Sequence, residues 1–213
     1  MLTKRLITFF ALAPLSVAVM AFEGGSPQAG KEKAAACAGC HGADGNSTSG
    51  EFPNLAGQHA SYLYEQLRLF KSGERKSPIM QAQAANLSDQ DMKDLAAYFS
   101  SQIMQVGSAS KALVDQGERL FRGGIPAKGV PACTGCHGPA GLGNPPAKYP
   151  RISGQNAPYL AEELRAYRAG ERGDYPLGRT MQDVAAELTN EQIKALASFL
   201  SGLHLGKLSR KAH

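Results

Sequence analysis

The feature that most constrains this chain is an internal duplication with a short cysteine motif in each copy. Residues 53–75 and 150–172 align without gaps and are identical at 12 of 23 positions. Such self-similarity predicts two copies of one structural unit, with the polar segment 105–111 as the expected linker. A Cys-x-x-Cys-His motif precedes each copy, formed by Cys37, Cys40 and His41 in the first and by Cys133, Cys136 and His137 in the second.

The first residues of the chain have the pattern of an export signal. Lys4 and Arg5 precede an apolar stretch of 16 residues, 6–21, that ends in small residues. This pattern is typical of a cleaved secretory signal peptide. An uncleaved membrane anchor is the alternative, but the stretch is shorter than the roughly 20 residues that span a bilayer. We therefore expect cleavage after Ala21 and a periplasmic location. Peripheral association of the exported protein with the membrane is compatible with this prediction.

Hydrophobic periodicity indicates an all-α protein. The segments after Ser88 and after Thr189 both place apolar residues at i, i+3, i+4 and i+7, which is one face of a helix. Both residues are suitable N-caps, and no alternating run is long enough to predict a sheet. We divide the chain into a signal peptide, residues 1–21, a first domain, 22–106, and a second domain, 107–213. Each domain has about 90 residues after export. A domain of this size buries little apolar surface, so we expect a bound group to occupy part of its core.

The Cys-x-x-Cys-His motif is typical of covalent haem attachment. The two thiols add to the vinyl groups of haem and the following histidine ligates iron. A thioredoxin-type site would need no histidine and would lie in a βαβ unit, a zinc site would need the two motifs to converge, and a disulfide within one motif would close an awkwardly small loop. Because the motif occurs twice with the same downstream pattern, we predict two haem c groups, one per copy.

Two methionines are the candidates for the second axial position on each iron. Met80 and Met181 are the methionines at matching places in the two copies, each in a segment that follows a proline and is predicted to be irregular. Thioether ligation favours reduced iron. Met92 aligns with an isoleucine and is assigned to the core, and His59 aligns with an asparagine and is assigned to the surface or to a helix cap.

Further residues of the repeat are candidates for supporting the haems. Pro53 and Pro150 follow their histidines by 12 and 13 residues, and their carbonyl oxygens could accept a hydrogen bond from the far imidazole nitrogen. A loop constraint is the alternative role for both prolines. The pairs Tyr62/Tyr159 and Arg75/Arg172 could hydrogen-bond haem propionates, cap helices or pack between the two halves.

Net charge argues against a nucleic-acid partner. The chain carries 23 basic and 18 acidic residues, a balance of +5. Removing Lys4 and Arg5 with the signal leaves 21 against 18, or +3. A nucleic-acid binder of this size would be more basic, with its lysines and arginines clustered.

Taken with these motifs, the sequence resembles the cytochrome c4 family of periplasmic di-haem electron carriers over roughly residues 25–205. The resemblance implies two tandem class I cytochrome c domains, each a few helices wrapped around one covalently bound haem. It further implies His41/Met80 and His137/Met181 ligation, haems facing each other across the domain interface, and delivery of electrons to a terminal oxidase. The motifs that carry it in the first half are Cys37-Ala38-Gly39-Cys40-His41-Gly42, Pro53-x-Leu55-x-Gly57-Gln58 and Leu87-Ser88-Asp89-Gln90-Asp91. In the second half they are Gly117-Glu118-Arg119-Leu120-Phe121-Arg122-Gly123-Gly124, Pro131-Ala132-Cys133-Thr134-Gly135-Cys136-His137 and the helix end Ser201-Gly202-Leu203-His204.

One departure from exact repetition concerns the segment before each methionine. The stretch from Arg75 to Met80 is four residues shorter than that from Arg172 to Met181. We therefore expect a tighter loop on the methionine side of the first haem.

The functional hypothesis is outer-sphere electron transfer by a monomeric protein that is not an enzyme. Two filled coordination spheres leave no open iron position for a substrate. The expected partners are redox proteins: a donor such as a quinol-oxidising complex and an acceptor such as a terminal oxidase. The alternatives are a cytochrome subunit of a periplasmic dehydrogenase, which would differ only in its partner surface, and a di-haem peroxidase, which would need an iron that can open.

Overall fold

The structure, a computed structural model, describes residues 23–204. This part of the chain is helical, and its β-structure is limited to two isolated bridges, Ile125 with Val130 and Asn144 with Tyr149. The predicted signal peptide and the tail from residue 205 lie outside the described residues. Within 23–204, no helix is long and apolar enough to cross a membrane. The helices of the first half are α1 (Pro27–Lys33), α2 (Ala38–His41), α3 (Ala60–Ser72), α4 (Pro78–Ala84) and α5 (Asp89–Ser100), with a 3-10 turn at Ala34–Cys37.

The second half repeats this order of helices. Its two long helices, α8 and α10, correspond to α3 and α5, and the all-α prediction is confirmed. The helices are α6 (Val114–Gly123), α7 (Thr134–His137), α8 (Ala157–Arg168), α9 (Pro176–Ala185) and α10 (Asn190–Gly202), with a 3-10 turn at Pro126–Lys128.

The predicted caps determine where the last helix of each half begins. The Ser88 hydroxyl accepts from the backbone N–H of Asp91, and the Asp91 side chain accepts in return from the Ser88 backbone N–H. Thr189 and Gln192 form the same reciprocal pair at the start of α10. Two otherwise unpaired backbone donors are satisfied at each start, which stabilises both helices.

In each half the first helix crosses the last helix at close range. α1 crosses α5 at Gly30, where an added Cβ would lie 2.0 Å from the backbone oxygen of Asp94. α6 crosses α10 at Gly117, where an added Cβ would lie 2.4 Å from the backbone oxygen of Ala195. The absence of a side chain at these two glycines lets the first helix of each half lie directly on its last helix.

The two halves contact each other through a reciprocal pair of glutamines. Gln58 accepts from the backbone N–H of Arg151 at 2.9 Å and donates to its carbonyl oxygen at 2.7 Å. Gln155, the repeat equivalent of Gln58, does the same to Asn54, the equivalent of Arg151, at 2.7 and 2.8 Å. The contact is therefore isologous, as in a two-fold symmetric dimer, although both halves belong to one chain.

Candidate functional site

One cavity of about 1020 Å³ runs between the two halves and is lined by both. Its walls are mainly apolar side chains of the two cores, such as Leu95 and Phe99 from α5 and Leu196 and Leu200 from α10. This agrees with the expectation that neither core is filled by the chain alone. All eight predicted site residues line it: Cys37, Cys40, His41, Met80, Cys133, Cys136, His137 and Met181.

Each Cys-x-x-Cys-His motif forms one tight helical turn at the cavity wall. Cys37 ends the 3-10 turn and precedes α2, which ends at His41. Cys133 stands at the same place before α7, which ends at His137. Within residues 23–204, no disulfide joins any two of the four cysteines. Burial raises the pKa of Cys37, and it raises that of Cys133 to about 11.

Both histidines are buried and held in one orientation by a backbone carbonyl. Nδ1 of His41 lies 3.0 Å from the oxygen of Pro53, and Nδ1 of His137 lies 2.9 Å from that of Pro150. A carbonyl only accepts, so Nδ1 carries the proton and Nε2 keeps its lone pair for a metal. Burial lowers the pKa of both imidazoles, against the opposing effect of these hydrogen bonds, and so favours the neutral, ligating form. Of the two roles left open for the prolines by the sequence, the hydrogen bond to the imidazole is the one that these contacts show.

The methionines line the cavity, but their local structure differs from the prediction. Met80 is the third residue of α4 and Met181 the sixth of α9, so neither lies in an irregular segment. Pro78 and Pro176 are the first residues of these helices, where the fixed φ of proline favours a helical turn. The four additional residues before Met181 accompany a longer helix, ten residues against seven.

His59 is an interface residue rather than a surface one. It occupies the N-cap position of α3 without a capping hydrogen bond from its side chain. Its Nε2 instead lies 2.7 Å from the carbonyl oxygen of Leu142 in the second half. Burial is the main cause of its lowered pKa. Its equivalent, Asn156, also reaches across, donating to the carbonyl oxygen of Phe52 at 2.8 Å.

The arginines singled out in the repeat form a buried cluster between the halves. Nη2 of Arg75 lies 2.9 Å from Oε1 of Glu163, and Arg172 Nη1 bonds the other oxygen of the same carboxylate. Of the three roles left open by the sequence, packing between the halves is the one these contacts show. Glu163 was not singled out from the sequence, because its repeat partner, Gln66, is neutral and hid its importance.

Glu163 is a charged group in this cluster. Burial acts to raise its pKa, but the attraction of Arg172 and Arg75 outweighs burial and holds the pKa below its ordinary value. Two cations and one anion therefore meet in the wall of the cavity. The side-chain Nε of Arg172 is buried with no partner among the described residues.

The donor set fits two haem c groups. Each half offers two thiols one turn apart, a neutral imidazole with a fixed tautomer and a largely apolar cavity wall. The family model for cytochrome c matches residues 27–102 and 114–204. Cytochrome c4 of Pseudomonas aeruginosa is 48% identical over 193 residues, which cover 91% of this chain and 96% of that protein. The chain belongs to the cytochrome c4 family.

Two further comparisons agree with this membership. The crystal structure of reduced recombinant cytochrome c4 from Pseudomonas stutzeri matches with a TM-score of 0.82 at 48% identity, covering 84% of this chain and 100% of that chain. The thiosulfate dehydrogenase electron acceptor of Stutzerimonas stutzeri is 40% identical over 182 residues, which cover 83% of each protein. As a member of this family, the protein is a di-haem electron carrier rather than an enzyme, with one covalent haem c for each Cys-x-x-Cys-His motif, and it works with redox partners.

Proposed function

We propose that this member of the cytochrome c4 family carries single electrons in the periplasm from a quinol-oxidising complex to a terminal oxidase. We assign the axial ligands as His41 with Met80 in the first domain, residues 22–106, and His137 with Met181 in the second, residues 107–213. The observation that carries the proposal is that each half brings a fixed neutral imidazole and a methionine to the same apolar cavity.

The residues of the chain make this site suitable for repeated electron transfer. When bound, each haem supplies a one-electron iron couple. The paired cysteines anchor it covalently, and the carbonyl oxygens of Pro53 and Pro150 keep each imidazole ring from turning. The apolar side chains of α5 and α10 limit solvent access, which helps to set the redox potential. Ligation by Met80 and Met181 would raise the potential and leave no position for a substrate.

Oxygen uptake by membranes tests the proposed place in respiration. Membranes containing a quinol-oxidising complex and a terminal oxidase are depleted of soluble cytochromes, and the purified holoprotein is then added with quinol as the electron source. We expect oxygen uptake to increase with the concentration of holoprotein and to decrease with added salt, because docking of electron carriers depends on complementary charge. No increase, in membranes that respond to another small cytochrome c, would contradict the proposal.

A second candidate function is acceptance of electrons from a periplasmic dehydrogenase. The similarity to a thiosulfate dehydrogenase electron acceptor favours it. Two reductions of the oxidised holoprotein, each followed by haem absorbance, distinguish the two functions. One uses such a dehydrogenase with thiosulfate, and the other uses the quinol-oxidising complex with quinol. Under the respiratory proposal, reduction by the quinol-oxidising complex is much faster than reduction by the dehydrogenase, and the reverse order would favour the second candidate.

A further inference from the structure

The charges of the cluster between the two halves are distributed symmetrically except at one position. Three pairs of repeat-equivalent residues build it, each separated by the same offset along the chain. In two pairs both residues are of the same type, and in the third one residue has a neutral amide and the other a carboxylate. The pairs are Tyr62 with Tyr159, Arg75 with Arg172, and Gln66 with Glu163.

The hydrogen bonds of the cluster follow the same symmetry. Arg75 donates to Gln66 of its own half at 2.7 Å, and across the interface to the hydroxyl of Tyr159 at 3.0 Å and to Glu163 at 2.9 Å. Arg172 bonds Glu163 of its own half, and donates across the interface to Tyr62 at 2.9 Å and to Gln66 at 3.3 Å. Gln66 and Glu163 thus occupy equivalent places and accept from both arginines.

The difference between these two acceptors is one buried negative charge. The side chain of Glu163 is 20% exposed, and those of its arginine partners are 8% and 7% exposed. In such a poorly solvated place a fixed charge acts over a longer range than it would in water. All three residues line the cavity that also holds His41 and His137.

We propose that Glu163 makes the two redox centres unequal, because its carboxylate is the one charge in the cluster without a repeat counterpart. The inference rests on the proposed ligation of one haem per half. A negative charge stabilises the more positive, oxidised iron and so lowers its midpoint potential. Since Glu163 lies on α8 of the second half and its counterpart on α3 is neutral, the lowering differs between the two centres. Glu163 does not ligate iron and acts on the midpoint potentials only through its charge.

Exchanging the charge between the two positions tests the inference. The quantity measured is the difference between the midpoint potentials of the second and first haems, by spectroelectrochemistry with NMR assignment of each haem. The proteins compared are the wild-type holoprotein, Glu163→Gln and the double variant Gln66→Glu/Glu163→Gln. In the double variant two arginines still face one carboxylate, so the net charge of the cluster is that of the wild type. Comparing wild type with the double variant therefore tests the inference even if the single variant folds poorly.

The expected result is a stepwise change in that difference. It shifts in one direction from wild type to Glu163→Gln, and shifts again in the same direction and by a similar amount to the double variant. The mean of the two potentials rises in Glu163→Gln and returns towards the wild-type value in the double variant. A difference that is the same in wild type and the double variant would overturn the inference. It would leave the proposed function intact, because that function is tested by oxygen uptake and by the ligand spectra.

Discussion

Gln155 of the second domain binds both backbone polar groups of Asn54 in the first domain. Its Oε1 accepts from the backbone N–H at 2.7 Å, and its Nε2 donates to the carbonyl oxygen at 2.8 Å. Both residues are buried, with 5% and 4% of their surface exposed. This contact and its repeat equivalent, Gln58 with Arg151, join the two domains beside the segments that hold the haem histidines.

Replacing Gln155 with alanine should therefore weaken the whole protein. We expect the free energy of unfolding of Gln155→Ala to fall by about 2 to 4 kcal/mol, because each buried backbone group left unpaired costs about 1 to 3 kcal/mol. Urea unfolding of the holoprotein followed by circular dichroism measures this loss. The exposed Gln105→Ala serves as the control and should change the stability little. Equal stabilities of the two variants would show that the interface contact does not contribute.

The glycine after each haem histidine allows a matched comparison. Gly42 and Gly138 both have positive φ, 78° and 75°, with extended ψ, a region that is accessible essentially to glycine alone. A Cβ added at Gly42 would lie 2.2 Å from the backbone oxygen of Asn46, whereas one added at Gly138 would lie 3.9 Å from the backbone oxygen of Gly143. We expect Gly138→Ala to lower the free energy of unfolding by about 1 to 3 kcal/mol, the cost of the backbone strain alone.

Gly42→Ala should cost clearly more than Gly138→Ala, since the Asn46 backbone must also move. The same urea titration measures both variants, and the yield of haem-loaded protein provides a second readout. Equal losses in the two variants would show that the close approach at Asn46 does not constrain the first motif.

Asp94 should make the first domain sensitive to acid. Its buried carboxylate accepts from Lys33 at 2.7 Å and from the backbone N–H of Ser26 at 2.9 Å, and these bonds lower its pKa. A depressed folded-state pKa stabilises the protein above the unfolded value of about 3.9, and this contribution is lost as the pH falls through the folded value. We expect Asp94→Asn to be less stable than wild type at neutral pH, and the difference to shrink as the pH falls below about 4.

Unfolding free energies measured across this pH range check the prediction for Asp94. Glu32→Gln, which removes an exposed carboxylate from α1, is the control and should follow the wild-type pH dependence closely. A difference between wild type and Asp94→Asn that stayed constant down to acid pH would contradict the assigned role.

The local features of the fold were predictable from the sequence. The repeat, the caps at Ser88 and Thr189 and the histidine–proline contacts all depend on residues close in sequence or on the comparison of one copy with the other. The prediction of irregular segments at Met80 and Met181 is wrong, because a proline also favours the first turn of a helix.

The contacts between the domains could not be predicted in the same way. Gln155 and Asn54 are about a hundred residues apart, and no periodic pattern links them. Glu163 has a neutral repeat partner, so comparing one copy with the other does not identify it. These residues acquire their roles only when the two copies are brought together.

Optical spectra of methionine variants test whether one histidine and one methionine ligate each iron. Oxidised wild-type protein should show the weak long-wavelength sulfur–iron band, and Met80→Ala and Met181→Ala should each lose the part that belongs to one haem. The reduced form of each variant should bind one carbon monoxide per molecule, whereas reduced wild type should bind it poorly. Met92→Leu, a change within the buried core, should keep the whole band. An unchanged band in either alanine variant, or ready binding of carbon monoxide at both irons of the wild type, would contradict the account.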